Sequence, residues 1–235
     1  MCAMVPEEVR SILEVGCGDG LIINRITADD TMGIDLSDEG LSNVTGPSLQ
    51  CSVAELPFED SRYELVIASE VIEHLADDIY RQALSEIARV AGRYILVSVP
   101  DRENLKINFT RCPACGKEYH RNLHQRSYQA ADLHGLFEGF TTAECRPIGN
   151  IDAFRTAPEV WLRRVLDRGR PVPWGTTCPY CGSAHREPMG ATTSQHLIEG
   201  GGQERSPWTR KLMWFLRGHK QPWLAALYSR TTEAL

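Results

Sequence analysis

A short apolar run, Ser11 to Val15, breaks into Gly16-Cys17-Gly18-Asp19-Gly20. Glycines at that density let the backbone leave a strand in a sharp turn and bring its N–H groups close to a ligand. The next apolar run, Thr31 to Leu36, carries an acidic side chain, Asp35, about 20 residues beyond the turn, where a carboxylate can accept hydrogen bonds from both hydroxyls of a ribose. A nucleotide fingerprint for dinucleotides needs Gly-x-Gly-x-x-Gly, and here Leu21 stands where its last glycine belongs.

Strand and helix signals alternate around this turn. Leu21 to Ile26 has helical spacing, Leu49 to Val53 is a weaker strand, and Glu64 to Ser69 is a buried one. Glu70 to Val90 reads as helix with a break near Asp77, and Arg93 to Val99 is a strand stopped by Pro100. This order predicts an α/β fold: a doubly wound, mostly parallel sheet covered on both faces, with ligands at the strand C-termini. Beyond Pro100, Tyr128 to Phe137 reads as a helix capped by Ser127, Phe140 to Pro147 as a strand, and Pro158 to Asp167 as a short helix.

The residues from Ile12 to Gly20, with Ala54-Glu55-Leu56-Pro57-Phe58 and the run Val66 to Leu75, resemble the successive motifs of seven-strand, Rossmann-like (class I) S-adenosylmethionine (SAM) methyltransferases over roughly residues 10 to 100. The resemblance implies that Glu14, Gly16, Cys17, Gly18, Asp19 and Gly20 shape the methionine pocket. It implies that Asp35 and Leu36 hold the ribose side, that Ser52, Val53, Ala54 and Glu55 border the adenine, and that Ser69 is a further cofactor-binding residue. Ser52 stands where many relatives have an aspartate facing the adenine amine.

Glu70, Glu73 and His74 follow the fourth strand with i, i+3, i+4 spacing, which on a helix puts all three on one face. Two carboxylates and an imidazole suit Mg²⁺ or another divalent cation that lowers the pKa of an acceptor hydroxyl. Ubiquinone-pathway O-methyltransferases and small-RNA 2′-O-methyltransferases use a similar Glu-x-x-Glu-His pattern in that way. The stretch Asn122 to Tyr128 resembles the RNA enzymes' further histidine segment, making His124 a fourth ligand. The alternative is metal-free: His74 or His124 acts as general base, with Glu73 beside it.

Four of the eight cysteines form two Cys-Pro-x-Cys-Gly knuckles, Cys112/Cys115 and Cys178/Cys181. Such knuckles converge thiolates for structural Zn²⁺, giving a four-cysteine insertion that shapes a lid. His120 and His124 stand close enough in sequence to compete as ligands, and a redox pair or a regulatory disulfide is the other reading. A cytoplasmic, reducing compartment fits these cysteines and the absence of a secretory signal or a membrane-length apolar run.

The organisation expected is residues 1–100 as the SAM-binding core, 101–190 as the rest of the sheet with the zinc-binding insertion, and 191–235 as a linker and a basic tail with Trp208, Trp214 and Trp223. From Arg205 onward six Lys or Arg face one Glu, and the tail is expected to be helical, with weak membrane-surface contact as its other reading. The formal net charge of -6 speaks against nucleic acid as a partner. The cysteine insertion and the tail resemble methyltransferases of bacterial glycan and natural-product gene sets, which implies a small-molecule or glycan hydroxyl as acceptor. N-methylation, RNA 2′-O-methylation and an inactive zinc-bearing interaction module are the competing functions. Oligomeric state has no mark in the sequence.

Overall fold

A computed structural model describes residues 1–105, 109–150, 152–154, 176–185, 218–220 and 222–231. Its strands are β1 (Ser11–Val15), β2 (Asp30–Asp35), β3 (Ser48–Gln50), β4 (Tyr63–Ser69), β5 (Ala91–Pro100), β6 (Phe109–Arg111), β7 (Glu118–His120), β8 (Phe140–Ile148), β9 (Asp152–Phe154), β10 (Thr176–Thr177), β11 (Ala184–His185), β12 (Gly218–Lys220) and β13 (Trp223–Arg230). Among the described residues two α-helices accompany them, α1 (Asp38–Leu41) and α2 (Asp77–Val90). By its internal packing the chain divides into two compact units. One comprises residues 1–103, 125–150 and 221–235, the other 104–124 and 151–220.

The first unit is a seven-stranded sheet in the order β3-β2-β1-β4-β5-β13-β8. β1 to β5 pair in parallel, while β13 runs antiparallel to both of its neighbours. Alternate residues of the central strands enter opposite cores, which is why their sequences read as continuous apolar runs. Leu13, Val66, Ala68, Ile95 and Val97 join Ile87 and Val90 of α2 on one face. Ile12, Leu65, Ile67 and Leu96 join Met4, Val9, Ile23 and Leu41 on the other. From β1 the chain winds outward through β2 to β3, then crosses back to β4 on the far side of β1. The loops after β1 and β4 therefore diverge, and a crevice opens at their C-terminal ends.

α2 is placed by its apolar spacing: Ala83, Ile87 and Val90 are buried, and Asp77 and Asp78 lie in the first turn, where the helix dipole favours negative charge. Near its end Arg89 donates to Leu56 O (3.0 Å), Phe58 O (2.7 Å), Asp60 (2.9 Å) and Glu86 (2.7 Å). One guanidinium thus pins the loop that follows Ser52 to Glu55.

Several expectations need correction. Residues 21–26 contain only a 3₁₀ turn, Ile23–Arg25, because Ile23 N–H is taken by the Glu14 carboxylate rather than by a helical carbonyl. Tyr128 to Phe137 contains a 3₁₀ turn, Ala130–Leu133, capped by Gln129 and Asp132 and not by Ser127. The tail from Trp223 to Arg230 is a strand, not a helix. Its Leu224, Ala226 and Tyr228 face one core and Ala225 the other. An apolar run this short fits either element, and here β5 and β8 supply backbone partners on both sides. The helix expected over Pro158 to Asp167, the linker from Gly200 to Pro207, and Trp208 and Trp214 lie outside the described residues. No helix among the described residues is long and apolar enough to cross a membrane.

Among its described residues the second unit has short antiparallel pairs: β6 with β7, β9 with β12, and β10 with β11. The cysteine knuckles sit in the turns of the first and last of these.

Candidate active site and cysteine cluster

β1 ends at Glu14-Val15, and Gly16, Gly18 and Gly20 follow with φ of 64°, 50° and 78°. Gly16 has a second constraint: a Cβ there would stand 2.4 Å from Val71 Cγ2. Cys17 N–H donates to Ile34 O (2.9 Å), which ties the turn to β2. Gly18 N–H donates to Asp35 Oδ2 (2.9 Å), and the other oxygen of Asp35 accepts from Ser37 N–H (2.8 Å). Asp35 thus shapes the turn as well as facing the crevice. Each carboxylate oxygen keeps a second lone pair for a ligand hydroxyl. Asp19 and Leu36 are exposed beside it. The Cys17 thiol is pushed up to about 12 by burial, with Glu14 and Asp35 adding to the effect, so it packs rather than reacts.

Glu14 is buried and accepts from Ile23 N–H at 2.8 Å. Burial pushes its carboxyl from the ordinary 4.5 up to about 8. After β3, on the Asp35 side, Ser52 Oγ accepts from Ala54 N–H (3.2 Å) within its own turn. Val53 packs on the core edge, Ala54 is buried and Glu55 is exposed.

Glu70, Glu73 and His74 do come together, but not on a helix face. Glu70 N–H donates to Ser98 O (3.0 Å), so the residue still belongs to the ladder with β5, and it leaves β4 at φ 56°. Residues 70–76 form a turn closed by His74 N–H to Val71 O (3.0 Å), and α2 starts only at Asp77. Ser69 and Ser98 share a hydroxyl hydrogen bond of 2.8 Å, and Ser98 Oγ donates to Glu70 Oε1 (3.3 Å). Trp223 Nε1–H donates to Glu70 Oε2 (2.7 Å). Both oxygens of Glu70 accept from protein donors, and among the described residues Glu70 belongs to no group of side chains close enough together to share a metal ion.

Glu73 is the opposite case. It is fully buried, and among the described residues neither of its carboxylate oxygens has a hydrogen-bond partner. Burial, with the charge of Glu70 added, pushes its carboxyl well above the ordinary range. The half-exposed His74 has Nε2 3.9 Å from Glu73 Oε1. The turn is held from outside by Arg126, which donates to Ile72 O (3.2 Å), Leu75 O and Asp77, and stacks 4.0 Å over the Tyr80 ring. Sequence reasoning missed Arg126, Ser98 and the role of Trp223, because their partners lie far away in the chain. His124 belongs to the second unit, where its N–H donates to His120 Nδ1 (3.2 Å) and the two rings stack 5.1 Å apart.

The raised carboxyls carry a prediction. The folded chain holds protons on Glu14 and Glu73 that the unfolded chain releases near 4.5, so stability falls as pH rises from that value toward about 8. Each group contributes a slope of up to about 1.4 kcal/mol per pH unit. Thermal melts of the ligand-free protein should show Tm dropping across this window, and Glu73→Gln should flatten the drop. An equal slope in the variant would mean that Glu73 ionises normally.

In the second unit the two knuckles repeat one geometry. Cys112 N–H donates to Lys117 O (2.9 Å) and Gly116 N–H returns to Cys112 O (2.8 Å); Cys178 does the same with Ser183 and Gly182 (3.0 Å each). The sulfurs of Cys112 and Cys181, and of Cys115 and Cys178, lie 3.7 Å apart, and all four lie within 4.8 Å of one another. Disulfide sulfurs sit about 2.05 Å apart. Four sulfurs about 2.3 Å from one tetrahedral ion lie about 3.8 Å apart, so the cluster could hold such a metal. The N–H of Ser183 holds the Cys181 thiol down to about 6.

Residues 13–93 match the family model of the methyltransferase domain. A protein of Mycolicibacterium smegmatis assigned as an S-adenosylmethionine-dependent methyltransferase is 34% identical over 139 residues, 55% of this chain and 50% of that one. The 27-O-demethylrifamycin SV methyltransferase of Amycolatopsis mediterranei is 28% identical over 138 residues, 51% of this chain and 50% of that one. The chain spans about half the length of these relatives. A solved structure from Bacillus halodurans with a methyltransferase assignment shares the fold at TM-score 0.57 and 15% identity, over 97% of this chain and 95% of that one. The likeness to methyltransferases thus rests on residues 13–93 and on the sheet order β3-β2-β1-β4-β5-β13-β8.

Proposed function

We propose that this chain transfers the methyl group of S-adenosylmethionine to a hydroxyl of a glycan or glycosylated metabolite. The observation that carries the reading is the glycine turn at the β1/β4 crevice, with Asp35 bonded across it. In this reading Gly16 and Gly18 admit the methionine end, Asp35 receives the ribose hydroxyls, and Leu36 and residues 52–55 flank the adenine. Hydroxyl acceptors are favoured by the O-methylation that the rifamycin relative's name describes. RNA 2′-O-methylation is the second choice, and the net charge of -6 weighs against it.

The transfer itself is an SN2 displacement: the acceptor oxygen attacks the sulfonium methyl and S-adenosylhomocysteine leaves. The protein's work is positioning and proton removal. His74 is the proton acceptor in this reading, with the buried, protonated Glu73 carboxyl beside it. Should a divalent cation bind, Glu73 and His74 would hold it, and it would acidify the acceptor hydroxyl; Glu70, bonded to Ser98 and Trp223, lies outside that group. The four cysteines hold structural Zn²⁺ in the same reading.

S-adenosylhomocysteine should bind the protein near micromolar by calorimetry, and Asp35→Ala should weaken it about 10- to 100-fold, the worth of one or two hydrogen bonds to a charged acceptor. Transfer from labelled SAM to glycans, glycosylated metabolites and short RNAs, with Mg²⁺ and with EDTA, then identifies the acceptor class. Absence of cofactor binding would refute the whole reading. Label on RNA alone would refute the acceptor, and label abolished by EDTA would favour the cation over the histidine base.

A further inference from the structure

The two knuckles treat their cysteines unequally. The second cysteine of each, Cys115 and Cys181, receives a backbone N–H two residues on, from Lys117 and Ser183. The first cysteine of each is deeper: Cys112 and Cys178 are almost fully buried. Their own N–H groups are spent on the carbonyls that close the turns. Four thiolates around Zn²⁺ carry a net charge of about −2, and a buried thiolate without a donor raises the cost of that charge.

For Cys112 the donor comes from the other knuckle. His185 Nε2 lies 3.4 Å from Cys112 Sγ, and the imidazole is only 7% exposed. The ring is fixed by β11, where His185 stands opposite Thr176 of β10. Thr176 Oγ1 in turn shares a 2.8 Å hydrogen bond with Tyr119 Oη, and Tyr119 belongs to β7 of the first knuckle's hairpin. The imidazole thus meets Cys112 from a strand that follows Cys181, and a side-chain bridge from β10 to β7 keeps the two hairpins in register.

Resting on the zinc reading above, we infer that His185 is the outer partner of a Cys112-Cys115-Cys178-Cys181 zinc site, its ring N–H donating to Cys112 Sγ and holding that thiolate on the metal. A ring N–H supplies this donor with no added charge and with little freedom to lose. Nothing in the spacing of the knuckles marks the residue: it lies four positions past Cys181, and only the crossing of the two hairpins brings it to Cys112. Outer-shell donors of this kind are typically worth 10- to 100-fold in metal affinity.

The test uses the full chain, purified under reducing conditions, as wild type and as His185→Gln, His185→Phe and His185→Ala. Glutamine keeps an N–H donor; phenylalanine fills the space without one, in case alanine unfolds the unit. Metal content, zinc transfer to a chelator of known affinity, and the spectrum of the Co²⁺-loaded protein are measured. The expected wild type holds one zinc and gives the intense tetrahedral cobalt spectrum of four thiolates. His185→Phe and His185→Ala should keep that stoichiometry, bind zinc roughly 10- to 100-fold more weakly, and shift the thiolate-to-cobalt charge-transfer band to longer wavelength, with His185→Gln restoring most of both. The band position reports electron density on the sulfur, which a purely structural role of His185 would leave unchanged. A wild type with neither zinc nor a tetrahedral cobalt spectrum overturns the zinc reading and this inference with it. A zinc-loaded wild type whose affinity and band are unaltered in His185→Phe overturns this inference alone, and so does a spectrum showing loss of a nitrogen ligand, which would make His185 a ligand itself.

Discussion

His74→Ala is expected to lower kcat by roughly 10²- to 10⁴-fold, the range for loss of a positioned general base, while S-adenosylhomocysteine binds as in the wild type. The imidazole is partly open to solvent, and Nε2 lies 3.9 Å from a carboxylate that has no other partner among the described residues. Glu73→Gln should cost less than His74→Ala, under about 10-fold, since the amide keeps the neutral form of the buried acid and leaves the base in place. Turnover in His74→Ala within threefold of wild type would refute the assignment and leave the proton to solvent or to another group.

Gly16→Ala is expected to abolish measurable cofactor binding and to lower Tm. Two costs combine. The backbone at φ 64° suits glycine, and a Cβ there costs roughly 1–2 kcal/mol. The larger cost is steric: the new methyl would stand 2.4 Å from Val71 Cγ2. Val71 is buried, stiff at χ1 and fixed between Glu70, which is bonded to Ser98, and the turn closed by His74 N–H. To admit the methyl, either the glycine turn or the 70–76 turn must move, and both line the crevice. Val71→Ala in the same chain removes the clash and leaves only the φ strain, so the double variant should regain most of the lost affinity. If Gly16→Ala alone binds S-adenosylhomocysteine normally, the turn does not face the cofactor.

Local sequence determined much of the sheet. The ends of β1 and β4, the glycine turn and Asp35 at the close of β2 could all be read from it, because a buried strand must be apolar on both faces and a sharp turn needs glycine. The two cysteine knuckles were legible for the same reason: a tight turn with two thiols and a glycine is a local event. What the sequence misread depended on partners far away. Glu70-Val71-Ile72-Glu73-His74 has helical spacing, yet Ser98 keeps Glu70 in the β-ladder, so Glu73 and His74 meet in a turn. Trp223 to Arg230 could serve as helix or strand, and only the open backbone edges of β5 and β8 made it the sixth strand across the sheet. That placement put the Trp223 indole on Glu70, while the oxygens of Glu73 find no hydrogen-bond donor among the described residues and have His74 beside them. Periodicity specifies which faces of a segment are apolar; which backbone and side-chain groups remain to be satisfied is settled only when distant strands close on one another.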